Sequence, residues 1–152
     1  MTVHDESSEP NPDVSALADV VGSADIDPHD VLVVGEYTTD SGPYSDDYFL
    51  VLILRSGKDV EIPMGRADHV LRGLERLTST SMPLKLANRT DFTSRVMYPP
   101  NLLDRPLYEF SREPVGPGIW RRICDRIVPT VRSTLTEEVA RYVRGRQTPP
   151  GV

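Results

Sequence analysis

"YFLVLILRSGKDVEI", residues 48–62, decides how this chain folds. Its first seven residues, Tyr48 to Leu54, are apolar without a break. A strand wetted on one face would alternate apolar with polar residues, so this one reads as a central strand covered on both faces. Ser56-Gly57 is a two-residue turn signal, and beyond it Val60 and Ile62 alternate with Asp59 and Glu61. The pair is a β-hairpin whose second strand is half exposed and suits a sheet edge.

Upstream, "VLVVGEY" (31–37) is apolar and β-branched, a further strand. It is joined to the hairpin by "TTDSGPYSDDY" (38–48), a polar connection of about ten residues where two to five would suffice. Downstream, "GRADHVLRGLERL" (65–77) places Ala67, Val70, Leu71, Leu74 and Leu77 on one helical face. "PLKLA" (83–87) is a short strand candidate, and between Asn88 and Gly118 only "RPLYEF" (105–110) resembles a strand among several prolines. "GIWRRICDRIV" (118–128) and "TLTEEVARYVRG" (134–145) read as helices. Ile123, Ile127 and Val131 form one apolar face that Leu135, Val139, Tyr142 and Val143 continue. Pro129 splits this segment, and Thr134 with Glu137 makes a capping-box pattern for the second helix. Three strands, a helix, one or two strands and then helices, with short turns between adjacent strands, predict an α+β fold. The expected sheet is antiparallel, of about four to five strands, with one central helix and the C-terminal helices packed on it.

A chain of 152 residues, 38% hydrophobic and 26% charged, is ordinary for one globular domain. A single cysteine forms no internal disulfide, the N-terminus lacks the basic and apolar regions of a signal peptide, and no apolar run spans a bilayer. A cytoplasmic location with no membrane association is expected. The net charge of −6 is unevenly spread: residues 1–30 carry eight acids and no Lys or Arg, whereas residues 117–152 carry seven arginines and three acids. Residues 1–29 therefore read as an acidic, largely disordered arm, residues 30–146 as a single α+β domain, and residues 147–152 as a frayed tail. Within the arm, Val14, Leu17, Ala18 and Val21 share one helical face over residues 13–21, too short a helix to stand alone in water. It needs a surface to dock on, its own domain or a partner.

The chemistry-bearing residues are few. His4 and His29 belong to the arm, and His69 lies opposite the apolar face of its helix. No zinc spacing, nucleophile motif or phosphate-binding glycine loop occurs, so no catalytic residue, cofactor or metal is assigned, and an enzyme is not the favoured reading. Cys124 falls on an apolar stripe with Trp120 and Ile127 and reads as a core residue. In the 38–48 connection, Asp46 and Asp47 are adjacent and no glutamate closes the loop, unlike a calcium site. Tyr44 and Tyr48, interleaved with Asp46 and Asp47, suit a contact with a protein partner, because tyrosine buries a large area and keeps a hydrogen bond.

The favoured expectation is a small protein-binding adaptor or regulatory domain, with partner contacts at Tyr44, Asp46, Asp47, Tyr48, Val14, Leu17 and Val21. The alternative is a hydrolase or small-ligand and metal enzyme built on Asp40, Asp46, Asp47 and Asp91. A third is nucleic-acid binding through Arg122, Arg126 and Arg144 on the C-terminal helices, against which stands the acidic balance of the chain. Asp91 and Arg95, four apart in "NRTDFTSR" (88–95), are expected to form an exposed helical ion pair.

Overall fold

The computed structural model describes residues 26–40, 47–112 and 131–147. The helix expected at 13–21, the loop centre at 41–46 with Tyr44 and Asp46, and the helix expected at 118–128 with Cys124, Arg122 and Arg126 lie outside the described residues.

The strands are β1 (Val31–Thr38), β2 (Tyr48–Leu54), β3 (Asp59–Pro63), β4 (Thr93–Tyr98), β5 (Tyr108–Arg112) and β6 (Val131–Leu135). Helix α1 spans Met64–Thr78 and helix α2 spans Glu137–Arg144. Strands β3-β2-β1-β4 form a four-stranded antiparallel sheet, and β5 pairs with β6 in a second, two-stranded one. The fold is α+β.

Strand β2 is central, as its unbroken apolar run predicts. Leu50, Leu52 and Leu54 enter one core under α1, with Val34, Ala67, Val70, Leu71 and Leu74. Val51 and Ile53 enter a second core on the opposite face, with Leu107, Val139 and Val143. Each large aliphatic side chain buried this way contributes about 1.5–3 kcal/mol. Strand β3 lies at the edge, with Asp59 and Glu61 exposed, and charged residues there discourage pairing with a further strand. The β2–β3 turn is closed by Gly57 at φ 84°, a left-handed conformation that glycine adopts without strain.

Four expectations are corrected. Residues 83–87 form no strand; their backbone turns inward, and the N–H groups of Lys85 and Leu86 donate to Glu36. Residues 131–135 form strand β6 rather than part of a helix. Val131 and Leu135 are four apart, a spacing that shares a face in a strand as well as in a helix. The N-cap of α2 is Thr136, not Thr134, and the expected capping box does not form; the Thr136 hydroxyl donates instead to the Pro106 carbonyl at 2.9 Å. Finally, Asp91 and Arg95 share no helical turn, because Arg95 belongs to β4 and is buried. Asp91 pairs with Arg89 at 3.6 Å.

Candidate functional site

The long connection leaves the sheet between β1 and β2, where Thr38 pairs with Tyr48. The ladder runs one step further, with the Thr39 N–H donating to the Asp47 carbonyl at 2.9 Å. The Thr39 hydroxyl also donates to the Asp47 carboxylate at 3.4 Å, and the Thr38 hydroxyl donates to the Asp91 carbonyl at 2.6 Å. Asp40, Asp47 and Asp91 therefore belong to one end of the sheet. Asp40 and Asp91 are exposed and Asp47 is half-buried. Among the described residues no three acidic, histidine or cysteine side chains are grouped to hold a metal ion.

Beside this end lies a cluster of five aromatic rings. Tyr37 and Phe49 are register partners across β1 and β2, and their rings stack at 5.1 Å. Tyr108 meets Tyr37 edge-on at 5.5 Å, and Phe110 follows at 6.3 Å from Tyr37. Phe92, which precedes β4, packs on Phe110 at 5.5 Å. Tyr108 is buried, while Tyr37, Phe49, Phe92 and Phe110 keep part of their surface in solvent. Acidic residues border the rings: the Tyr37 hydroxyl donates to Glu61 at 3.0 Å, and Asp59 lies on the same face of β3. Burial, with the nearby Glu61 and Asp59 carboxylates adding to it, raises the Tyr37 phenol well above its ordinary value; the same groups raise Tyr108. None of these five rings was named as a contact residue in the sequence. Tyr37 and Phe49 look like ordinary strand residues there, and a connection of about ten residues leaves their pairing register open.

Tyr48 is a correction. It is 4% exposed and faces the α1 core, so it offers no surface to a partner. Its hydroxyl donates to Glu36 Oε2 at 2.8 Å. Burial, then the Glu36 carboxylate, pushes its phenol far above the ordinary range.

Glu36 is fully buried and central to a polar network absent from the sequence reading. Its Oε1 accepts from Arg95 Nε at 2.5 Å and from the Lys85 N–H at 3.0 Å; its Oε2 accepts from Tyr48 and from the Leu86 N–H at 3.3 Å. The Arg95 guanidinium also donates to Asp104 Oδ1 at 2.8 Å and to the Pro83 carbonyl. Arg95 and Lys85 hold the Asp104 carboxyl below its ordinary value through their hydrogen bonds. No buried side-chain polar atom among the described residues lacks a partner. The network pins the 83–87 segment to the sheet.

His29 and His69 are exposed. Arg144, the described member of the nucleic-acid set, donates to Glu137 at 2.9 Å, so its charge is balanced on its own helix. No helix among the described residues is long and apolar enough to cross a membrane. Comparison with known protein families, with curated proteins and with solved structures finds no match to this chain.

Proposed function

We propose that this protein is a binding domain for a protein partner, and that its contact surface is the end of the four-stranded sheet from which the 38–48 connection leaves. The observation that supports this reading is the five-ring cluster beside that connection, four of whose rings are only half-buried. A contiguous aromatic surface of this kind is costly to keep in water and is a common anchor of interfaces. The acidic border of Asp59 and Glu61, with Asp47 at the base of the connection, favours a partner segment that sets an apolar side chain among the rings and basic residues beside them. Tyr44, Asp46 and Asp47 remain the proposed contacts of the connection itself.

Photo-cross-linking tests the reading. A photoreactive phenylalanine analogue at position 110 should give one discrete cross-linked product in source cells, and the same analogue at Arg72, on the exposed side of α1, should not. Equal, diffuse labelling from both positions would overturn the proposal.

A further inference from the structure

Two strands, β3 and β4, form the edges of the four-stranded sheet, and the described chain treats them differently. Along β4 the outward backbone groups are taken. The Val96 N–H donates to the Arg105 carbonyl at 2.8 Å, and the Val96 carbonyl accepts from the Asp104 N–H at 2.9 Å. Two residues earlier, the Ser94 hydroxyl accepts from the Tyr108 N–H at 2.9 Å.

Along β3 the outward groups are open. The Leu54 N–H donates to the Lys58 carbonyl at 2.8 Å, and the partners Leu52↔Val60 and Leu50↔Ile62 continue that pair in steps of two. In an antiparallel ladder, bonded pairs alternate with pairs whose N–H and C=O groups point away from each other. Lys58, Val60 and Ile62 therefore bond to β2, and the backbone groups of Asp59 and Glu61 point out of the sheet. Both residues are exposed, and no backbone hydrogen bond joins either to another described residue on that side. Pro63, the next residue in that row, has no N–H and ends the strand where α1 begins.

The side chains of the same two residues give this edge a preference. Asp59 and Glu61 stand on the aromatic face of the sheet, where the Tyr37 hydroxyl donates to Glu61 at 3.0 Å. Val60, between them, turns the other way and is half-buried against the core beneath α1. A second copy of β3 laid antiparallel here would set carboxylates against carboxylates, which disfavours self-pairing. The same carboxylates suit a strand whose Lys or Arg residues recur two apart. Each cation would then stand opposite an acid, at the Cα separation of about 5.5 Å that a bonded pair has. The residue between the cations would turn to the other face, beside Val60, where an aliphatic side chain fits.

We propose that β3 is a strand-addition edge, and that the partner segment it takes is extended and alternates cationic, aliphatic and cationic residues. The inference rests on the protein-partner reading above and specifies how the partner is held. Backbone hydrogen bonds at Asp59 and Glu61 supply affinity, and their carboxylates select the sequence.

The probe is the acetylated, amidated heptapeptide TKVKVKT, added to the isotopically labelled full chain. Saturable binding is expected with a Kd on the order of 1 mM or below. At saturation the Asp59 and Glu61 amides should exchange at least about fivefold more slowly than in the free chain. The permuted peptide TVVKKKT, of the same composition with its lysines adjacent, should bind at least about fivefold more weakly. Asp59→Pro removes one outward N–H while sparing the ladder to β2 and the Tyr37–Glu61 bond. It should keep the melting temperature and weaken TKVKVKT binding by at least about fivefold. Equal binding of the two peptides, or binding without slowed exchange at Asp59 and Glu61, would overturn the proposal by reducing the contact to charge alone. No binding up to about 5 mM peptide would overturn it as well. If Asp59→Pro does not fold, the two peptides on the unsubstituted chain still decide. A failed peptide test beside a discrete cross-link from position 110 would strike this edge and keep the partner reading; diffuse cross-linking would strike the reading itself.

Discussion

Arg95 is one of four donors around the buried Glu36 carboxyl, and its removal leaves that carboxyl in the interior without its cationic partner. Breaking a buried pair from one side typically costs about 3–5 kcal/mol, so Arg95→Ala should lower stability by that amount in urea denaturation at unchanged slope. A loss below about 1 kcal/mol would mean that the network is not closed as described. Tyr48→Phe deletes one hydrogen bond to the same carboxylate and should cost about 1.5–3 kcal/mol. The tyrosines also set the alkaline limit. Tyr37, Tyr48 and Tyr108 have folded pKa values raised above the unfolded phenol, so their neutral forms stabilise the fold fully below about pH 10. That contribution is lost as pH rises from there toward the raised folded values. Of the six tyrosines, these three should ionise only together with unfolding, which phenolate absorbance against far-UV circular dichroism will follow. Asp104 has the opposite sign: its lowered pKa gives a contribution present above about pH 4 and lost on further acidification, and Asp104→Asn should remove that dependence. None of this network was legible in the sequence. Glu36 and Arg95 are far apart in the chain, and a lone acid in "VLVVGEY" looks like the solvent-facing position of a strand.

The elements that the sequence made legible are those whose pattern admits one period. The apolar run of β2, the Ser56-Gly57 turn, the alternation in β3 and the stripe of α1 all fold as they read. The misread elements have patterns that admit two. "VRSTL" shares its i, i+4 spacing between helix and strand, and β5 decides it by pairing. Strand β4 was hidden because its inward Arg95 breaks the apolar alternation. Its packing can be tested at Gly35 of β1. A methyl group there would come within 2.6 Å of Leu107 Cδ2 and 3.0 Å of the Arg95 carbonyl. Leu107 is fully buried and has no solvent to retreat into, so Gly35→Ala should destabilise by about 1–3 kcal/mol through overpacking. Leu107→Ala alone should cost about 2–5 kcal/mol, and the double variant should be more stable than the sum of the two losses. Strict additivity would place Leu107 away from β1.

At the scale of the whole molecule, a four-stranded sheet with a core on each face holds the α1 side by the Glu36 network and the opposite side by β5, β6 and α2. The aromatic cluster is where the second core reaches solvent, next to the connection that the sequence marks as too long for a simple turn. The connection was legible as a feature; its neighbouring rings were not, because four separate stretches of chain contribute them. The central claim is that this end binds a protein. Affinity capture from source cells would compare the unsubstituted chain with a Tyr44→Ala, Asp46→Ala, Asp47→Ala variant and with Phe110→Ser, each matched for melting temperature. The account predicts a near-stoichiometric protein captured by the unsubstituted chain, lost or strongly reduced with both variants, and bound directly when purified. The same proteins recovered with all three chains, or none with any, would contradict it.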